Sequence, residues 1–232
     1  AEKPYDGTAL TATGSVTGYK NNETATFTVT GTQTEVGSST NSYTLVFNQT
    51  AAESDYTISE NLGTLTVTNN TVAIKIESST KSWEYDGTAH TDYVYTITEG
   101  ETSGTASLNT TTNTYDYELS TGDVITITPA TTATITNAAQ SPVNNAFTYT
   151  LDNANFYSNV TTEVGTLTIT KRPITFTANS TTVDYDGAEH TYAETATPYY
   201  TISGDGLAAN QSVCAIALTG PLSATSPSNM TE

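Results

Sequence analysis

Four scarcities organise this sequence. Cysteine occurs once, at Cys214, so no intrachain disulfide can form and no thiolate cluster can hold a metal. Basic residues are few: 6 Lys plus Arg stand against 24 Asp plus Glu, a net charge of −18. A chain this acidic repels a phosphate backbone and an anionic lipid surface, which excludes a nucleic-acid partner. No apolar run reaches the roughly 18 residues a spanning helix needs, so no membrane insertion is expected. Residues 1–20 show no basic segment leading into an apolar one, so the sequence reads as a mature or excised segment without a leader peptide.

Threonine takes the vacated share, with 54 residues in a chain of 232. It falls into a period of two. Thr24, Thr26, Thr28, Thr30, Thr32 and Thr34 alternate with Ala25, Phe27, Val29, Gly31 and Gln33. Successive side chains of a strand point to opposite faces, so one face is hydroxyl and the other apolar. Leu65/Val67, Val72/Ile74/Ile76, Val124 to Thr128, Thr134/Thr136 and Leu167/Ile169 repeat the pattern. Helical spacing is nowhere sustained, and Ala51 to Ser54 have room for one turn. Short strands with frequent turn signals predict an all-β chain of sandwiches.

The chain also repeats itself. Tyr5-Asp6-Gly7-Thr8 returns as Tyr85-Asp86-Gly87-Thr88 and as Tyr185-Asp186-Gly187-Ala188, and Gly63-Thr64-Leu65-Thr66-Val67-Thr68 returns as Gly165-Thr166-Leu167-Thr168-Ile169-Thr170. Ala25 to Gly31 match Cys214 to Gly220, and without gaps Val72 and Ile74 fall on Ile174 and Phe176. Residues 71–172 form one complete unit, lengthened around Glu99 to Glu118 by an insertion expected to lie in a surface loop. Residues 1–70 are the same unit without its opening strand, and 173–232 a partial unit without its closing strands. Short junctions (Thr68 to Thr71, Thr170 to Pro173) predict a rod-like array. Each Asp-Gly pair reads as a hairpin turn. The incomplete third unit leaves an open edge, a place for strand pairing with another chain.

In cyclic order, Tyr-Asp-Gly-Thr-Ala, the Gly31 to Gly37 segment, Gly-Thr-Leu-Thr-Ile-Thr and Lys-Arg-Pro-Ile-Thr-Phe resemble the YDG/MBG-type immunoglobulin-like repeats of bacterial cell-surface adhesins. The resemblance spans essentially the whole chain. It departs from the pattern at the insertion of the second unit and at Ala139-Gln140-Ser141-Pro142-Val143. It implies tandem immunoglobulin-like β-sandwiches in a secreted, extracellular surface protein, acting as a stalk or adhesive array, and it implies no particular ligand.

Chemical candidates are sparse. His90 and His190 align with Leu10, so imidazole is not required there, and both read as solvated or half-buried strand residues. Cys214 aligns with Ala25 and reads as a small buried hydrophobe. Glu84/Asp86 and Asp184/Asp186 offer paired oxygens, but Pro4 and Asp6 stand there in the first unit and no calcium loop follows. No catalytic group, cofactor or metal ligand set is expected, and the chain reads as a non-enzyme. The best ligand hint is aromatic: Tyr93 and Tyr95 share a strand face, as do Tyr115 and Tyr117 in the insertion. They predict a platform for a host protein, such as an immunoglobulin, or a glycan.

Overall fold

The computed structural model describes residues 1–48, 52–178, 190–191, 200–214 and 223–224. Their regular structure is all strand apart from three 3₁₀ turns, at Glu53–Asp55, Ala138–Gln140 and Ala154–Phe156. Among them no helix is long and apolar enough to cross a membrane. The strand ladders stay within residues 1–70, 71–172 or 173–232. The copies correspond in detail. In the first, Ala25–Val29 pairs antiparallel with Tyr43–Phe47; in the second, Val124–Pro129 pairs likewise with Phe147–Leu151. Single bridges join Leu10 to Gln33 and His90 to Ile135 at matching places.

Compactness divides the chain differently, because each repeat packs on its neighbour. One unit comprises Ala1–Lys81, Asp92–Ala133 and Asn144–Thr166; the other comprises Ser82–Thr91, Thr134–Val143 and Leu167–Glu232.

The first unit holds two four-stranded sheets from the second repeat. One orders Val160–Glu163, Ile74–Ser78, Tyr95–Glu99 and Thr102–Thr105; the other orders Ser107–Asn109, Thr114–Glu118, Val124–Pro129 and Phe147–Leu151. Alternation puts Ile74, Ile76, Tyr95 and Ile97 of one sheet and Ile125 and Ile127 of the other into a single core, each no more than 1% exposed. Burying such a side chain contributes about 1.5–3 kcal/mol. From the first repeat, Glu2–Pro4 runs parallel to Thr64–Thr68, whose other edge pairs antiparallel with Gly37–Thr40.

The second unit is smaller. Lys81–Glu84 and Val143–Asn144 flank Thr166–Thr170, and Ile135, Leu167 and Ile169 form its core beneath Trp83 and Val143. Ile174–Ala178 pairs antiparallel with Tyr200–Gly204. That register equates Ile174 with Ile74, both opposite the fifth residue of the next strand, so the gapless match is displaced by two residues. The connector between Thr170 and Ile174 is two residues shorter than that between Thr68 and Ile74, and a slip of two leaves the same residues sharing a face.

Three expectations need correction. Val72, expected on the inner face, is 43% exposed, because pairing starts only at Ile74. The insertion is not a surface loop. Its residues form Thr102–Thr105 on the edge of one sheet and the hairpin Ser107–Asn109/Thr114–Glu118 on the edge of the other, crossing between them at the buried Ala106. Asn113, at φ 56°, takes the left-handed turn position that Asn tolerates. Cys214 is exposed rather than buried, at the end of a strandless stretch; Ala215 to Gly220, its expected strand, lie outside the described residues.

Candidate functional site at the Tyr-Asp-Gly turn

The Tyr-Asp-Gly tripeptide does not close a hairpin. Glu2–Pro4 pairs with Thr64–Thr68 and Leu10 with Gln33, so the residues on either side of the turn take different partners. The turn is closed by its aspartate. Asp6 Oδ1 accepts the Thr8 amide at 2.9 Å and the Thr8 hydroxyl at 2.7 Å; Asp86 Oδ1 accepts the same groups of Thr88 at 2.8 and 2.7 Å. These bonds favour the charged carboxylate. Asp6, helped first by Lys3, is held down to about 2, and Asp86, helped by His90, also to about 2. The tyrosine is fixed by its backbone: Tyr5 donates its amide to the Thr68 carbonyl at 2.8 Å, and Tyr85 to that of Thr170 at 3.0 Å.

Locked this way, the turn faces the following repeat. In the first unit, Tyr5 is 6% exposed and packs edge-on against Phe156 and Tyr157, at 5.0 and 5.9 Å between ring centres. Its hydroxyl donates to Asp123 Oδ2 at 3.0 Å. Tyr157 donates to the same oxygen at 2.6 Å, and the Asn153 amide to the other at 2.8 Å. A buried carboxylate is tolerated only when its lone pairs are met, and here three donors meet them. Burial first, then Asp123, pushes the phenols of Tyr5 and Tyr157 upward. Gly7, at φ 76°, lies so close to the next repeat that a Cβ there would come within 2.0 Å of the Thr121 carbonyl oxygen.

The second unit uses its own turn in the same sense. Gly87, at φ 83°, sits against Ala208 and Ala209, with a Cβ position 3.5 Å from the Ala208 Cβ. The Tyr85 hydroxyl accepts from the Gln211 side-chain amide at 2.5 Å. Arg172 donates to the Gly206 carbonyl at 2.9 Å, to the Asp205 carbonyl and to Glu84 at 3.0 Å. A cleft of about 360 Å³ remains beside Tyr85, Ala138, Arg172, Ile174 and Leu207. The third turn, Tyr185 to Ala188, with Asp184, lies outside the described residues, as does the His190 side chain.

The tyrosines expected to form a binding platform are brought together, but largely inside. Tyr95 is 0% exposed, its ring 5.2 Å from Tyr115 and 5.5 Å from Phe147, and burial pushes its phenol up to about 12. It shares a face with Ile97, which is the core face. Tyr115 and Tyr117 are half-buried against the core, and the Tyr117 ring covers Gly104. Tyr93, 38% exposed and 6.1 Å from Tyr115, keeps a surface ring. His90 stacks on Trp83 at 4.9 Å and meets Asp86 at 3.0 Å. Among the described residues no cluster of three or more His, Cys, Asp or Glu is arranged to hold a metal.

Sequence reasoning missed Asp123, and it missed Asn145. Asn145, 0% exposed, donates its amide to the Asp92 carbonyl at 2.8 Å and to the Ser79 carbonyl at 3.0 Å, and its backbone amide binds Gly165. Asn41 holds the same backbone bond to Gly63. The repeated Asn41-Ser42-Tyr43-Thr44 and Asn145-Ala146-Phe147-Thr148 were the available signal.

No family model, curated protein or solved structure matches the chain.

Proposed function

We propose that this chain is a non-catalytic stretch of tandem immunoglobulin-like β-sandwich repeats from an extracellular bacterial cell-surface protein, working as a stalk. In that role the Tyr-Asp-Gly turn is the coupling device: its aspartate closes the turn and its tyrosine docks on the next repeat. The observation that carries the reading is the use of the same turn twice, with the same aspartate bonds, each time against the repeat that follows. A spacer has to resist bending between repeats, and a buried aromatic with a bonded hydroxyl gives a specific contact there.

Ligand binding by the second repeat is the weaker reading. With Tyr95 in the core and Tyr117 over Gly104, the platform is reduced to Tyr93 and the edge of Tyr115.

Hydrogen exchange on the full chain tests the coupling. Tyr5→Ala is expected to raise exchange at Leu119 to Asp123 and at Phe156 and Tyr157, in the repeat beyond the mutated one. Faster exchange confined to residues 1–70 would reject the docked array.

A further inference from the structure

Each four-stranded sheet of the second repeat has two outer edges, and all but one of these edges are blunted. Val160–Glu163 ends in Glu163, ion-paired to Lys75. Thr102–Thr105 contains Gly104, covered by the Tyr117 ring, and Ser107–Asn109 is only three residues long. The remaining edge, Phe147–Leu151, reads Phe-Thr-Tyr-Thr-Leu and carries no charge, proline or glycine. Natural sheets avoid such an edge, because unpaired N–H and C=O groups beside apolar side chains invite another strand.

The ladder fixes which of its groups are free. Ala130 donates its amide to the Ala146 carbonyl at 3.0 Å, and Asp152 donates to the Val124 carbonyl at 3.1 Å. Bonds to one neighbour recur at every second residue of an antiparallel strand. Thr148 and Thr150 therefore face Val124–Pro129, whereas Phe147, Tyr149 and Leu151 turn their amides and carbonyls outward. Pro129, which has no N–H, stands opposite Phe147, where none is needed. Among the described residues no strand pairs with the outward side. The side chains agree. Tyr149 lies opposite the core residue Ile127 and is nevertheless 37% exposed. An open groove of about 530 Å³ runs beside it, bordered by Leu151, Tyr157 and Val160, and none of its lining residues is charged. The matching strand of the first repeat, Tyr43–Phe47, has Glu53 and Glu60 along its groove.

We propose that Phe147–Leu151 is the edge through which two copies of this chain pair, antiparallel and two-fold about Tyr149. A two-fold contact has to be self-complementary, and this segment is. The symmetry sets Tyr149 against the partner's Tyr149, Phe147 against the partner's Leu151, and Thr148 against the partner's Thr150. The outward-facing residues then meet only one another, so every free amide and carbonyl of the edge finds a partner. Phe147, Tyr149 and Leu151 carry an apolar row across the joint, and the threonines pair on the opposite face. Charge selects the same place. Each copy carries −18, so contact is favoured where neither presents a carboxylate. Asp152, next along the chain, turns its carboxylate to the Val124 amide of its own sheet at 3.2 Å. The inference stands whether or not the chain is a stalk.

Sedimentation velocity of the full chain from micromolar to millimolar concentration is the test. A dimer is expected to accumulate with concentration and to tighten with added salt, which screens the repulsion between two acidic copies. Amide exchange at Phe147, Tyr149 and Leu151 should slow at least about tenfold as the dimer fills, with Thr102–Thr105 and Val160–Glu163 unchanged. Two variants on the exposed face probe the register. Thr148→Glu with Thr150→Glu sets like charges opposite each other and should abolish the dimer, with melting of the monomer unchanged. Thr148→Lys with Thr150→Glu sets opposite charges across the same pairs and should retain it. A chain that stays monomeric throughout, or a dimer that both variants weaken equally, would overturn the proposal. So would concentration-dependent protection at a different edge. Protection of Phe147–Leu151 that is already complete in the monomer would overturn it too, by giving the edge to the chain itself.

Discussion

The turns at Tyr5 and Tyr85 are built alike and docked differently. Both use an aspartate to bind the threonine two residues on, and both bring glycine to positive φ against the next repeat. Beyond that they diverge. Tyr5 is sealed among Phe156 and Tyr157, with its hydroxyl on a buried carboxylate that two further donors satisfy. Tyr85 is half-buried beside an open cleft, and its hydroxyl bonds a neutral amide at the surface. A repeat can thus keep one turn and vary the strength of each joint through the residue that receives the tyrosine.

The largest expected effect comes from removing that receiver. Asp123→Ala strands the hydroxyls of Tyr5 and Tyr157 and the amide of Asn153. Leaving buried polar groups unmet costs about 1–3 kcal/mol apiece, and their shared network makes the sum sub-additive. We expect a loss of about 4 kcal/mol in urea unfolding of the first unit. Gln211→Ala at the other joint should cost under about 0.5 kcal/mol, the usual size of a surface change. Equal losses at the two joints would erase the distinction between them.

The glycines come next. Gly87→Ala meets only the left-handed backbone cost, about 1–2 kcal/mol for a residue with a Cβ. Gly7→Ala adds a collision with the fixed Thr121 carbonyl, and overpacking costs about 1–3 kcal/mol more. Thermal melts of the two variants should rank Gly7→Ala clearly below Gly87→Ala. The reverse order would show that the first joint opens at little cost.

A pH effect should follow. Tyr5, Tyr157 and Tyr95 have phenols raised by burial when folded, Tyr95 to about 12, against an ordinary value of 10.0. The unfolded chain then releases protons first as pH rises. Stability is therefore intact below pH 10 and falls as pH climbs from there toward 12. Urea unfolding of the first unit at increasing pH above 9 is the measurement. The decline should be shallower in Asp123→Asn, where the charge next to Tyr5 and Tyr157 is gone. Stability that rises over this range would contradict the burial of these rings.

Much of the strand content could be read from alternation, because a threonine face and an apolar face need only local sequence. The copies could be matched because Tyr-Asp-Gly and Gly-Thr-Leu-Thr hold equivalent turns and strands. Asp123 could not be found that way. In Thr121-Gly122-Asp123 it reads as a loop acid, and its role depends on Tyr5 and Tyr157, 118 and 34 residues away. Tyr115 and Tyr117 show the other limit. Period two places them on one face but does not say which face is inside, and the insertion that carries them turned out to be sheet edge. For Tyr95 the answer was available, since it alternates with Ile97.

The smallest expected effect is also the most direct probe of the two joints. Tyr→Phe keeps the ring and removes only the hydroxyl. At Tyr5 the lost bond is to a charged, buried acceptor, and such bonds contribute about 1.5–3 kcal/mol. The Asp123 oxygen keeps Tyr157 as a donor, which offsets part of the loss, so about 1 kcal/mol is expected. At Tyr85 the partner amide of Gln211 turns to water, and the change should lie within about 0.5 kcal/mol. Crossing each substitution with its receiver, Asp123→Ala or Gln211→Ala, isolates the pair. A coupling near zero for Tyr5 and Asp123 would mean that the aromatic packing on Phe156 and Tyr157, and not the hydroxyl, holds the first joint.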